Sequence, residues 1–149
     1  MHDIKKKWDK YTEGNFGIII YLFLGFLIAY GLNTFLAFAL QTSTPVVAVF
    51  SDSMVPTFYR GDMIIVAGAE NIKVGDVVVF DSSDKKYPII HRVDEIKDGG
   101  IVSKGDNNPA TDEGRWGVIP LEKIYGKAVL KIPILGWVKI LFVELTGIG

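Results

Sequence analysis

The sequence predicts a mainly β chain. A single N-terminal transmembrane helix leads into a small all-β domain of the sandwich or partly closed barrel type, and a short apolar or amphipathic helix ends the chain. Three observations predict this. There is no charged residue from Gly14 to Ser51, and Phe16 to Leu40 is almost wholly apolar. Beyond that run the apolar residues fall into short β-branched stretches divided by turn signals. From Ile132 to Gly149 the chain turns apolar again, interrupted by Lys139 and Glu144. A length of 149 residues suits one small domain plus an anchor.

Residues 1–15 read as a basic tail, with Lys5, Lys6, Lys7 and Lys10 ahead of the apolar run. Residues 16–40 form the anchor, because about 20 consecutive apolar residues cross a bilayer as a helix. Asn33 and Thr34 are mild interruptions that can bond within the helix or to a partner. Ala37-Phe38-Ala39 resembles a small-x-small cleavage site, so a removable leader is the competing reading. The apolar run exceeds the roughly 7–15 residues of such a leader's core, which favours the anchor. No basic residue follows until Arg60, so the positive-inside rule puts the N-terminus in the cytoplasm and the remainder outside.

Residues 41–131 form the β domain. Its strands are expected in Pro45–Phe50, Met63–Ala67, Val77–Phe80, Pro88–Val93, Gly100–Ser103 and Ile124–Leu130. Turns are expected at Arg60-Gly61-Asp62, Val74-Gly75-Asp76, Asp98-Gly99-Gly100 and Asn107-Asn108-Pro109. Residues 132–149 admit three readings. Trp137, Ile140, Leu141 and Phe142 suit a helix lying on the bilayer surface; a terminal helix packed on the sheet is the plainer alternative; a second span is disfavoured by the cost of Lys139 at mid-bilayer.

Composition excludes several kinds of chemistry. There is no cysteine, which removes disulfides, thiolate metal sites and cysteine nucleophiles. A net charge of -1 offers no field for nucleic acid. Of two histidines, His2 belongs to the tail, so His91 is the one imidazole of the main domain and a multi-histidine zinc site is impossible.

What remains is a set of residues suited to nucleophilic catalysis. Ser51-Asp52-Ser53-Met54-Val55-Pro56 follows the anchor closely, and a serine hydroxyl needs an adjacent base and a group that orients that base. An imidazole, with an ordinary pKa of about 6.5, suits the base. Strand alternation puts Ile89, His91 and Val93 on one face and Ile90 and Arg92 on the other, so His91 faces inward if Arg92 faces water. Each residue has a plain alternative. His91 can be a core histidine bonded to a carbonyl, Asp106 and Asp112 can be turn residues, Ser51 and Ser53 can satisfy loop backbone, and Met54 is more often packing than chemistry.

In combination these segments resemble the type I signal peptidases, in the branch found in archaea, the endoplasmic reticulum and some sporulating bacteria. Ser51-Asp52-Ser53-Met54-Val55-Pro56-Thr57 with Gly61-Asp62 is similar to that family's nucleophile box, Gly75-Asp76-Val77-Val78 to the strand that follows, and Ile90-His91-Arg92-Val93 to its base box. Most bacterial members carry lysine where this chain has His91, which selects the histidine branch. Lys104-Gly105-Asp106-Asn107-Asn108 and then Asp112 resemble the acidic box, and Tyr125-Gly126-Lys127-Ala128 the segment after it. The likeness runs from the anchor to about Trp137. Gly114-Arg115-Trp116-Gly117 departs from the branch and leans towards the bacterial form.

The resemblance implies a membrane-bound serine endopeptidase that removes signal peptides after small residues and requires no metal or organic cofactor. It implies Ser53 as nucleophile, His91 as base, and Asp112 in preference to Asp106 as the acid that orients His91. The oxyanion donors it implies are the Ser53 backbone N–H and the Ser51 hydroxyl. Val49, Phe50, Met54, Phe58, Ile89 and Ile90 are expected to line shallow substrate pockets. Expected partners are the signal peptides of preproteins, membrane lipid and a nearby protein translocon, but not nucleic acid. The expected location is the cell membrane of a prokaryote rather than the endoplasmic reticulum. Three rivals stand beside this reading: a self-cleaving repressor-type serine–lysine peptidase, an inactive membrane-anchored β domain that binds preproteins or assembles a translocon complex, and a dedicated processor of a few secreted proteins.

Overall fold

The computed structural model describes residues 14–82 and 84–147. The basic tail with Lys5, Lys6, Lys7 and Lys10, and His2 with it, lies outside them. The chain divides after Ala39 into two compact units.

The first unit contains helix α1, Gly14–Ala39. Its 26 residues reach about 39 Å at 1.5 Å per residue, more than the ~30 Å of a bilayer's hydrocarbon. Phe16–Ala39 is the one stretch among the described residues long and apolar enough to cross a membrane. Of its two polar interruptions, Thr34 is satisfied within the helix, because its hydroxyl donates to the Tyr30 carbonyl at 2.9 Å.

The second unit is built on one antiparallel sheet of seven strands. These are β1 (Val46–Ala48), β2 (Met63–Ala67), β3 (Val77–Phe80), β4 (Ile89–Lys97), β5 (Gly100–Lys104), β6 (Ile119–Pro120) and β7 (Ile124–Ile132). Their spatial order is β1-β2-β7-β3-β4-β5-β6. Of the two expected architectures, the sandwich is not realised, since every strand hydrogen-bonds into the same sheet. Register shifts bend it, with the extra residue on β7 where it meets β2 and again where it meets β3, and on β4 where it meets β5.

β-Branched residues fill both faces of the central strands, because both faces are covered. Val77 and Val79 of β3 join Val47, Val49, Met54, Phe58, Ile64, Val66 and Ile90 in one cluster. Val78 and Phe80 point the other way and join Val93, Ile101, Ile119 and Ile124. Four consecutive buried residues therefore produce two cores, which explains why Val77–Phe80 shows no polar alternation.

Several elements differ from expectation. β4 continues past Val93 to Lys97 through the exposed Asp94, Glu95 and Ile96, held by backbone pairing with β5 that hydrophobic patterning does not reveal. A four-residue helix α2 (Glu113–Trp116) and the short strand β6 occupy what the sequence suggested was loop. β7 runs through Leu130 to Ile132. The final segment forms helix α3, Trp137–Thr146, which packs through Ile140 and Val143. Ile140 therefore faces the domain, while Leu141 and Phe142 are exposed. Ten residues span about 15 Å, too short to cross a bilayer.

Helix α3 also braces the turn after the nucleophile box. A Cβ on Gly61, whose φ is 96°, would lie 2.0 Å from the Trp137 indole nitrogen. Arg60 stacks over the same ring and pairs with Glu144.

Candidate active site

The site starts from a turn that the core holds in place. After β1, the Val49 N–H donates to the Asp62 carbonyl at 2.9 Å and the Gly61 N–H donates to the Val49 carbonyl at 3.0 Å. Met54 is almost wholly buried and anchors the turn in the first cluster. Ser53 is left half-buried at the rim. Its carbonyl accepts from the Asn107 N–H at 2.8 Å, so the acidic loop is tied to the serine turn. Gly105 permits that approach: a Cβ there would lie 2.8 Å from the Ser53 carbonyl oxygen.

His91 arrives from β4. It pairs across to Val78, on the face of the second cluster, and is 4% exposed. Its Nε2 lies 3.0 Å from Ser53 Oγ and its Nδ1 lies 2.6 Å from Asp112 Oδ2. A carboxylate only accepts, so Nδ1 carries the proton and Nε2 is left to accept from the serine hydroxyl. Asp112 is buried at the N-cap position of α2, but its side chain does not cap the helix. The carboxylate turns to His91 instead, and Ser103 Oγ donates to the same Oδ2 at 2.6 Å. The Asp112 N–H donates to the Ser103 carbonyl at 2.8 Å, which fixes the backbone beneath it.

Asp106 has a different partner. Arg92 follows His91 and so points to the opposite face of β4. Its Nε and Nη2 donate to the two Asp106 oxygens at 2.8 and 2.7 Å, and Thr57 Oγ1 donates to Oδ2. The Arg92 guanidinium holds the Asp106 carboxyl below the usual carboxylate range, with Thr57 adding to the effect. Asp106 in turn pushes the Arg92 guanidinium up. The structure joins Ser53, His91 and Asp112 in one hydrogen-bonded chain and leaves Asp106 outside it, as a brace between β4 and the Thr57 turn.

Ser51 Oγ lies 3.2 Å from Ser53 Oγ. Beside the two serines is a cleft of about 330 Å³ lined by Val49, Phe50, Met54, Ile89 and Ile90 among others. Phe58 is not at its wall. A hydrogen bond from its N–H to the Met54 carbonyl at 2.9 Å winds the turn so that the ring goes into the core, under the Lys131 ammonium. Two residues that sequence reasoning missed also matter. Ser103 shares the inward side of β5 with Ile101, and a hydroxyl there signals a polar partner. Tyr87 stacks on Phe50 with ring centroids 4.3 Å apart, and only its place just before the histidine box hinted at the cleft.

The Peptidase S24-like family model matches residues 28–128. The chain is 34% identical over 141 residues to the signal peptidase complex catalytic subunit SEC11 of Verticillium alfalfae, covering 87% of this chain and 78% of the relative. It is 36% identical over 138 residues to the Dictyostelium discoideum subunit, covering 85% and 73%. With the Zygosaccharomyces rouxii subunit it shares 38% identity over 116 residues, covering 70% of each. The chain belongs to the Peptidase S24-like family and, within it, to the signal peptidase branch that these subunits represent.

Proposed function

We propose that this chain is a membrane-anchored serine endopeptidase that removes N-terminal signal peptides from secreted and membrane preproteins after small residues. The observation that carries the mechanism is the continuous chain from Ser53 Oγ through His91 to Asp112, with contacts of 3.0 and 2.6 Å. His91 Nε2 takes the Ser53 proton as Oγ attacks the scissile carbonyl. Asp112 orients the imidazole and stabilises its protonated form. The tetrahedral oxyanion is held by the Ser53 N–H and the Ser51 hydroxyl, which is near enough to the attacking oxygen to donate. His91 then returns the proton to the departing amine, and water hydrolyses the acyl-enzyme by the same route.

Val49, Phe50, Met54, Ile89 and Ile90 form the substrate wall in this reading, and bulky side chains there reject large residues by overpacking. The substrate adds as an extended strand beside the chain around Val49 and Ile89. Helix α1 anchors the protein as a single span with the N-terminus cytoplasmic and the β domain outside. The exposed Val138, Leu141, Phe142 and Leu145 of α3 suit contact with membrane lipid. The relatives are named as subunits of a signal peptidase complex, which supports work beside a translocon. They are eukaryotic, and give no support to the expected preference for a prokaryotic cell membrane.

The test is cleavage of a preprotein in detergent or liposomes by the wild type and by Ser53→Ala, with labelling by an active-serine probe. Cleavage and labelling that vanish together in Ser53→Ala support the reading. Undiminished processing by Ser53→Ala ends it, and a folded wild type that neither labels nor cleaves favours the inactive binding domain.

A further inference from the structure

Helix α2 is only four residues long and buries none of them, yet one side chain from it covers the base. The Trp116 ring lies 5.9 Å from the His91 ring, tilted at 42°, and meets Phe80 edge-on at 5.6 Å. Its indole nitrogen is also held, since Nε1–H donates to Asp84 Oδ1 at 2.7 Å. The other oxygen of Asp84 accepts from Arg115 Nε and Nη2 at 3.0 and 2.6 Å, and Ser82 Oγ donates to Oδ1 at 3.1 Å. The Arg115 guanidinium lies 5.0 Å from the Trp116 ring centroid. Four hydrogen bonds thus converge on one carboxylate from the segment that leads into the histidine box.

As an ion pair this cluster does little for stability. The Asp84 and Arg115 side chains are 40% and 54% exposed, and surface pairs contribute little. Its effect is geometric. The indole is pinned by Phe80 in the core and by Asp84 at its N–H, which leaves it fixed beside the imidazole. An imidazole that must keep Nε2 on Ser53 and Nδ1 on Asp112 works only while its plane is held and water is kept from competing for Asp112.

We infer that Asp84 is a positioning residue for the proposed reaction: through the Trp116 indole it holds a cover over His91 and so maintains the Ser53–His91–Asp112 alignment. This rests on the peptidase reading above. Asp84 does not touch the reacting atoms, so its loss is expected chiefly in kcat, with a smaller rise in KM because the Trp116 and Arg115 side chains that it holds also line the cleft. The Arg115 hydrogen bonds, with those of Trp116 and Ser82, hold the Asp84 carboxyl down to about 2, so the cluster keeps its charge well into acid.

The test uses the full chain in detergent and two readouts. One is turnover of a preprotein. The other is Trp116 emission, taken as the difference between wild type and Trp116→Phe, because a protonated imidazole quenches an adjacent indole. In the wild type that difference should fall when acid protonates the imidazole. Asp84→Ala should flatten the fall and lower kcat about tenfold or more, with a smaller rise in KM. Asp84→Glu, which keeps an acceptor, should retain most of both. Of the charged groups around the imidazole, Asp112, Asp106 and Arg92 keep their partners in Asp84→Ala, whereas Arg115 loses its two bonds to Asp84. Arg115→Met, which leaves the Asp84–Trp116 bond in place, should therefore keep most of the quenching and of kcat, and a loss equal to that of Asp84→Ala would assign the effect to the guanidinium and overturn the inference. Full quenching and full kcat in Asp84→Ala overturn the inference, and so does a variant that melts earlier but keeps both, which makes the cluster merely structural. Emission needs no turnover. A wild type that quenches normally but cuts nothing therefore counts against the peptidase reading, not against the Asp84–Trp116–His91 contact.

Discussion

Asp106 and Asp112 stand six residues apart in the same turn-rich loop, and their surroundings are opposite. Asp112 is buried, and one of its oxygens takes both the His91 Nδ1 proton and the Ser103 hydroxyl. Asp106 is half-buried and spends both oxygens on Arg92 and Thr57. The difference originates in β4. His91 and Arg92 are consecutive, so the pleat sends them to opposite faces, and each collects its own aspartate. One strand's parity thus divides two chemically identical side chains between a relay to the serine and a brace behind it. The brace still serves the site, because the Asp106 N–H also meets Met54 Sδ at 3.5 Å behind the serine turn.

The comparison can be broken most severely at the relay. Ser53→Ala and His91→Ala should each abolish preprotein cleavage, and the double variant should be no worse, because members of such a relay act as a unit, with losses of roughly a millionfold in comparable systems. Additive losses in single-turnover rates would deny that the two work together. His91→Lys should stay inactive, since a lysine carries no second nitrogen to take the Asp112 bond. Near-normal processing by it would make the Asp112 contact dispensable. A smaller effect is expected at Ser103→Ala, which removes one of the two donors on Asp112 Oδ2. A rate loss of about tenfold should accompany a modest drop in melting temperature. A rate unchanged within error would remove Ser103 from the site.

The brace predicts a loss of a different kind. Because Arg92 holds the Asp106 carboxyl below its unfolded value of about 3.9, this pair's stabilisation is fully present above that pH. It is lost as pH falls through the lower folded value. Acid titrations of melting temperature should therefore show a steeper fall below about pH 4 in the wild type than in Asp106→Asn. Parallel curves for the two would show that Arg92 and Asp106 do not pair in solution.

How much of this was legible in the sequence depended on which force fixed each feature. The six main strands were legible because β-branched runs between Gly, Asp and Asn turns are a local signal. The outer half of β4 was not, since exposed Asp94, Glu95 and Ile96 are held there by backbone bonds to β5. Ser53, His91 and Asp112 came forward through the resemblance of their boxes, while turn chemistry alone left Asp106 and Asp112 equal. The Arg92 partner of Asp106 was within reach of strand parity, but nothing local says that Thr57 and Arg92 meet 35 residues apart. Phe58 lies in the core and not on the cleft wall, and its position in the box says nothing about the helical bend that turns its ring inward. The packing side of α3 was equally hidden, because nearly every residue of Trp137–Leu145 is apolar and only contact selects Ile140 and Val143.

The division of labour between the two aspartates is tested most directly by measuring kcat and melting temperature for Asp112→Asn and Asp106→Asn side by side on one preprotein. Asp112→Asn should lose rate by roughly ten-thousandfold through the wrong histidine tautomer, the magnitude such a change has in the serine–histidine–aspartate template, and should remain folded. Asp106→Asn should keep most of its rate and lose about 1–3 kcal/mol of stability, seen as a melting temperature lower by several degrees. A fully stable but inactive Asp106→Asn beside a near-normal Asp112→Asn would contradict the assignment and exchange the two roles.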